Sequence, residues 1–372
     1  MKYYLIAGEA SGDLHASNLI KAIKQLDPDA RFRAWGGDRM QKEGATIVKH
    51  IDELSFMGFA EVLLNLPTIL NNIKLCKADI IDYQPNTVIF IDYPGFNLRI
   101  ANFVRKQNIK TIYYISPQVW AWHKSRVKKI RRDIDKMLVI LPFEQDFYFK
   151  HNYNVEFVGH PLLDALERTD HIPEADFRRK NNLAENNPVI ALLPGSRKQE
   201  IKKMLAIMCE VSDNYPGYQF VIAGTTGHSE DLYRQFSGKS DIPVVFDQTY
   251  NLLRIAYAAL VTSGTATLET ALIGVPQIVC YKANTISYQI ARRLVDIKFI
   301  SLVNLIMDEE VVKEMIQNDF NTTNLVKELR EITENDHYRA EILNKYKQLR
   351  KKLGGTGASA KAAKAIAEFL KN

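Results

Sequence analysis

The sequence predicts an α/β protein built from two doubly wound, parallel-sheet domains. Three observations predict it. Short runs rich in β-branched and aromatic residues alternate with amphipathic helical stretches, the pattern of parallel strands covered by helices on both faces. The alternation pauses once near the middle and then restarts. Glycine-bearing turns stand where strands hand over to helices, the places at which such sheets bind ligands.

Taken in order, the first half offers strands at 3–7, 31–35, 87–91, 111–115, 136–141 and 156–158. Residues 161–187 contain no strand-like run and end in a polar cluster, which places a hinge there. Strands resume at 188–193, 219–223, 243–246, 259–262 and 277–281. From Lys327 the chain reads as helix until Gly354-Gly355-Thr356-Gly357 breaks it before a short Ala-rich helix at 358–371. The expected division is 1–165, 166–353 and a C-terminal segment at 354–372.

Composition sets limits on function. With 372 residues, 46% of them hydrophobic and 25% charged, the chain is long enough for about two domains. A net charge of +6 is modest for this size and argues against a nucleic-acid partner. Cys76, Cys209 and Cys280 are far apart and form no CxxC pair, so neither a disulfide framework nor a zinc site is expected, and a reducing cytoplasm fits. The apolar start runs into Gly8-Glu9 too early for a signal peptide, and no later run reaches the roughly 18 residues that span a bilayer. A membrane would be met only from its surface.

Two segments of the second half have the form that binds phosphate, a strand end followed by small residues and a helix N-terminus. In Leu193-Pro194-Gly195-Ser196-Arg197, Gly195 permits close backbone approach and Arg197 offers a planar fork of donors. In Thr262-Ser263-Gly264-Thr265-Ala266-Thr267-Leu268-Glu269, the helix opens after Gly264, with Thr265 and Ala266 in its first turn. Glu269 follows one turn in, where a carboxylate accepts the two hydroxyls of a ribose. Each glycine alone reads equally well as a tight turn. The pair within one domain favours a nucleotide diphosphate.

The first half opens with Gly8-Glu9-Ala10-Ser11-Gly12-Asp13, which is neither a dinucleotide fingerprint nor a Walker loop. The acids repel phosphate, so Glu9, Ser11 and Asp13 suit a hydroxyl-rich ligand such as a sugar, with Asp13 also readable as a helix cap. Asp92, directly after the strand at 87–91, is placed to face a cleft between the domains as a general base, or to cap the turn that follows it. Trp120 and Trp122 precede a basic run containing Lys128, Lys129, Arg131 and Arg132, a combination suited to an anionic lipid surface. Phe56 and Met57 add an apolar contact for acyl chains, although aromatic residues also pack cores and basic helices have solvated faces. The Asp-x-Asp pairs Asp27/Asp29 and Asp133/Asp135 fall in a turn and among cations, so no metal is assigned to either.

These segments, together with Phe56-Met57-Gly58, Asp92-Tyr93-Pro94-Gly95-Phe96-Asn97, Ser116-Pro117-Gln118-Val119-Trp120-Ala121-Trp122, Leu141-Pro142-Phe143-Glu144 and Gly159-His160-Pro161, resemble the lipid-A-disaccharide synthase family nearly end to end and in order. The resemblance implies a GT-B architecture, two Rossmann-like domains with the donor nucleotide held mainly by the second. It implies transfer from UDP-2,3-diacylglucosamine to 2,3-diacylglucosamine 1-phosphate (lipid X) in Gram-negative outer-membrane biosynthesis, without a cofactor. The family's base falls on Asp92 and its UDP contacts on Arg197, Glu269 and Asn304. Where Gly95 stands the family commonly has an acidic or other residue, so that position receives no catalytic role. The C-terminal segment is expected to cross back to the first domain in a monomer or to exchange between subunits of a homodimer, and the protein to sit peripherally on the cytoplasmic face of the inner membrane. The alternatives are another UDP-sugar enzyme of this fold, either a UDP-N-acetylglucosamine 2-epimerase or a lipid-linked muropeptide transferase, and a non-catalytic lipid carrier.

Overall fold

A computed structural model describes residues 1–54, 66–121, 125–225, 227–238, 241–284, 288 and 298–371. The chain forms two compact units, Met1–Asp164 joined by Leu353–Asn372, and Ala165–Lys352.

The first unit is a seven-stranded parallel sheet of β1 (Lys2–Ile6), β2 (Arg31–Gly36), β3 (Thr46–His50), β4 (Thr87–Ile91), β5 (Lys110–Tyr114), β6 (Lys136–Val139) and β7 (Glu156–Phe157), in spatial order β3-β2-β1-β4-β5-β6-β7. The second is a six-stranded parallel sheet of β8 (Val189–Leu193), β9 (Gln219–Gly224), β10 (Val244–Phe246), β11 (Ala256–Thr262), β12 (Gln277–Tyr281) and β13 (Lys313–Ile316), in order β10-β9-β8-β11-β12-β13. The central strands β4 and β8 are buried along their whole length, which is why they read as unbroken apolar runs rather than alternating ones. Each unit has its own core, one including Tyr4, Trp35, Phe90 and Tyr113, the other including Val189, Ala191, Val221 and Val261.

Strands β3 and β13 escaped the sequence reading. Both lie at sheet edges with one neighbour each, and both carry charge, Lys49 and His50 in one and Lys313 and Glu314 in the other, as exposed edges commonly do. Strand β6 stops at Val139, short of the expected 141, because the N–H groups of Ile140 and Leu141 donate to the Glu144 carboxylate at 3.2 and 3.0 Å instead of to a neighbouring strand. The segment 161–187 holds the helices Pro161–Arg168 and Glu174–Lys180. After Gly354, Gly355 and Gly357, all at positive φ, the helix Ala358–Lys371 packs against the helix Ala10–Leu26 of the first unit. Asp164 fixes its start, accepting the N–H of Gly357 at 2.6 Å and of Ser359 at 3.0 Å.

Candidate functional site

In each sheet the strand order reverses once, between β1 and β4 and between β8 and β11. In folds of this kind ligands bind at the carboxyl ends of the strands that flank such a reversal. The pairing Ile6↔Phe90 in one sheet and Leu193↔Val261 in the other ends the paired strands side by side. Four sequence-predicted segments follow these four strands: Gly8-Glu9, Asp92-Tyr93, Gly195 to Arg197, and Gly264 to Glu269.

In the first unit, Asp92 and Tyr93 both adopt the left-handed backbone region, at φ 43° and 49°, which side chains rarely occupy. Such strain persists where surrounding structure enforces it and gathers at functional sites. The Asp92 carboxyl is half-buried, and burial first, then the negative charge of nearby Glu9, push its pKa up to about 6. Glu9 precedes the helix Ala10–Leu26 without capping it through its side chain, and with Ser11 it is exposed. The Tyr93 ring lies over Gly8 so closely that a Cβ there would meet its Cγ at 2.4 Å, so this turn admits only glycine. Tyr93 in turn stacks on Phe96, centroids 5.6 Å apart.

Asp13, expected beside Glu9 and Ser11 as a ligand residue, is a structural residue instead. It is buried, and its two oxygens accept the backbone N–H groups of Gly37, Met40 and Arg39 at 2.7, 3.2 and 3.1 Å, so the carboxylate serves to hold the start of the helix Asp38–Lys42. Trp120 needs a similar correction. It is buried with its ring edge-on to Phe143 at 5.0 Å, so it packs the core and is withheld from a lipid surface. Phe56, Met57 and Trp122 lie outside the described residues. In the helix Arg126–Asp133, Val127 and Ile130 point inward while Lys128, Lys129, Arg131 and Arg132 are exposed. Arg132 pairs with Asp133, and Arg131 reaches the carbonyl of His151 at 3.3 Å, beside a residue the sequence reading missed: Phe149, 71% exposed.

In the second unit, Gly195 sits at φ 103°, and a Cβ there would come within 2.4 Å of the Glu200 carboxylate. Glu200 folds back over the turn to accept the N–H of Arg197 at 3.3 Å. The Arg197 guanidinium is exposed and only loosely paired with Glu200, at 3.7 Å, and Ser196 is exposed with it. A Cβ on Gly264 would meet nothing within 4 Å, and Gly264 and Thr265 are exposed at the start of the helix Thr265–Ile273, while Ala266 packs partly against the core. Glu269 accepts the Tyr250 hydroxyl on Oε1 at 2.6 Å, and burial raises its pKa. Tyr250 was not picked out from sequence, because a tyrosine in a helix carries no signal of what it will touch.

Asn304 is the second polar residue to correct. It is fully buried, its Nδ2 donates to Val312 O at 2.8 Å and Glu314 Oε1 at 2.9 Å, and its Oδ1 accepts the N–H groups of Val311 and Val312. Its amide is used up in holding the chain around β13, so a UDP contact through that side chain is ruled out by hydrogen-bond accounting. Of the Asp-x-Asp carboxylates, Asp29 is exposed and the other three have internal partners. Asp27 holds the N-terminal amine at 2.8 Å, Asp133 holds Arg132 and Asn102, and Asp135 holds the backbone and hydroxyl of Thr111, each at 2.9 Å.

Two Rossmann-like units, each with its sequence-predicted loops at the point where strand order reverses, give the GT-B type of α/β fold. The solved structures it resembles share that fold: the glycosyltransferase of kitacinnamycin (TM-score 0.67, 13% identity, 99% of each chain covered) and the UDP-GlcNAc 2-epimerase of Neisseria meningitidis bound to UDP-GlcNAc (TM-score 0.64, 14% identity, 100% of each chain). The chain belongs to the lipid-A-disaccharide synthetase family, whose model matches residues 3–369. Among its relatives, the lipid-A-disaccharide synthase of Syntrophus aciditrophicus is 38% identical over 96% of this chain and 95% of its own length. That of Coxiella burnetii (strain CbuG_Q212) is 36% identical over 98% of each. The epimerase alternative shares the fold and stops there.

Proposed function

We propose that this chain transfers 2,3-diacylglucosamine from UDP-2,3-diacylglucosamine to the 6-hydroxyl of lipid X, with inversion, giving the β-1′,6-linked disaccharide 1-phosphate and UDP. The observation that carries the reading is Asp92: a half-buried carboxyl on a strained turn, at the strand-order reversal, with its pKa raised to about 6. Such a group is ionised at neutral pH yet basic enough to accept a proton in the transition state. In the proposed step the Asp92 carboxylate takes the hydroxyl proton as the 6-oxygen bonds to the anomeric carbon. The bond from that carbon to the diphosphate breaks on the opposite face, and its electron pair leaves with UDP. Arg197 and the N-terminus of the helix Thr265–Ile273 offset the charge gathering on the diphosphate, and Glu269, held by Tyr250, receives the ribose hydroxyls.

Purified protein given both lipid substrates is expected to yield disaccharide and UDP in equal amounts. Epimerisation of UDP-N-acetylglucosamine with no lipid present, or no disaccharide from the pair, would contradict the proposal. Because the base works only when ionised, kcat/KM is expected to rise with pH through about 6 and to level off above it. Glu9→Gln removes one of the two causes that raise the Asp92 pKa, so the acidic limb should move to lower pH; a limb that stays in place breaks the Glu9–Asp92 coupling.

The acyl chains of both substrates call for a lipid surface, and we assign contact with the cytoplasmic face of the inner membrane to the exposed Lys128, Lys129, Arg131 and Arg132, together with exposed Phe149, two residues before the Arg131 partner His151. Each basic group near an anionic bilayer contributes about 1 kcal/mol. Replacing all four by glutamine is therefore expected to weaken binding to phosphatidylglycerol-containing vesicles by at least about tenfold. Equal binding would make the helix an ordinary solvated face.

A further inference from the structure

We propose that Asn97 and Tyr113 are positioning residues that clamp the backbone of Asp92 in its strained conformation and so aim the base. The inference rests on the assignment of Asp92 as base.

Two buried donors from different elements converge on one carbonyl. Asn97, in the first turns of the helix Pro94–Lys106, donates Nδ2–H to Asp92 O at 2.7 Å, with longer approaches of 3.4 Å to the carbonyls of Ile6 and Ile91. Tyr113, on the neighbouring strand β5, donates its hydroxyl to the same oxygen. Both side chains are fully buried. The Tyr113 hydroxyl remains a donor throughout the working pH range, since burial above all, then the Asp92 charge, raise its pKa well beyond the usual value.

The purchase is specific. A left-handed residue at the end of a strand turns its carbonyl out of the sheet ladder, and an oxygen so displaced inside the protein must find other donors. Here it finds two, and neither is available to a chain that continues as regular strand. The N–H of Asp92 still takes its ladder partner, Tyr114 O, at 3.3 Å. Asp92 is therefore held on one side by the sheet and on the other by the Asn97–Tyr113 pair, with φ fixed between them. Three residues ahead of Asn97, Pro94 opens the helix that carries it. The interaction cannot be read from the sequence alone because Tyr113 is 21 residues from Asp92.

Such a clamp acts on rate through geometry, so its loss should lower kcat while leaving the KM for donor and the affinity for UDP unchanged. Tyr113→Phe keeps the buried ring, 5.9 Å from Phe90, and deletes only the hydroxyl. Misplacing a reacting group by about an ångström costs up to roughly 100-fold, so a fall in kcat of about 10- to 100-fold is expected. The decisive measurement is Tyr113→Phe in two backgrounds, wild type and Asp92→Asn. If the hydroxyl acts through the base, its removal should slow wild type and have no further effect once the base is gone. Equal losses in both backgrounds, or unchanged kcat in wild type, overturn the clamp while leaving the base in place. Near-normal turnover by Asp92→Asn alone overturns the base and the clamp with it. Asn97→Ala should reproduce the Tyr113→Phe pattern; if that variant does not fold, Tyr113→Phe decides alone.

Discussion

Asp92→Asn is expected to lower kcat by about 10²–10⁴-fold, roughly 3–5 kcal/mol of barrier, while leaving UDP affinity as it is. The amide keeps the size and shape of the carboxyl but cannot take a proton, so the loss falls on the chemical step. Nucleotide binding is assigned to residues of the other unit, Arg197 and Glu269, and should not register the change. Stability should move in the opposite direction. Folding raises the Asp92 pKa from 3.8 to about 6, so its contribution favours the folded state below about pH 4 and is lost as the pH climbs through about 6. At neutral pH the ionised group thus costs up to about 3 kcal/mol, and the asparagine variant is expected to melt no lower than wild type. A full kinetic and melting comparison at pH 7.5 checks both parts. A well-folded variant with near-normal turnover would exclude Asp92 as the base.

Interior strands such as β4 and β8 could be read from sequence because a buried parallel strand is an apolar run bounded by turns, and the edge strands β7 and β10 could be read too because their residues stand in short runs rich in valine and phenylalanine. Strands β3 and β13 could not, since Lys49-His50 and Lys313-Glu314 put two polar residues in a row into a run of only five or four. The site followed the same logic. Gly8, Gly195, Asp92 and Glu269 stood out as candidates because each lies at or soon after a strand end, where glycine and acid gather in the chain. Asp13 and Trp120 could be read two ways because a polar or aromatic side chain near a strand end serves ligand contact or internal support, and only its hydrogen bonds and burial separate them; Asn304, placed by resemblance alone, has its amide likewise taken up internally. The supporting residues Asn97, Tyr113 and Tyr250 were missed for a related reason: each acts on a partner set by the sheet or by helix packing rather than by sequence distance.

The donor site gives the second large effect. Glu269→Ala is expected to weaken UDP binding by about 10- to 150-fold, the range of a hydrogen bond to a charged group. Its Oε1 is already engaged by Tyr250, which restricts the carboxylate, so on the proposed assignment less ordering remains to be done when a ribose binds. Arg197→Ala is expected to cost about tenfold, because the exposed guanidinium meets the diphosphate in higher dielectric, and its contribution should shrink as salt is added while that of Glu269 should not. Calorimetry with UDP and with 2′-deoxy-UDP separates the two roles. Wild type and Arg197→Ala should both bind the deoxynucleotide more weakly than UDP, since each retains the ribose contact. Glu269→Ala should bind the two alike, because the group that distinguishes them is gone. Should Glu269→Ala still prefer UDP over its deoxy form by the wild-type margin, the carboxylate does not touch the ribose, and the nucleotide must be placed elsewhere on the second sheet.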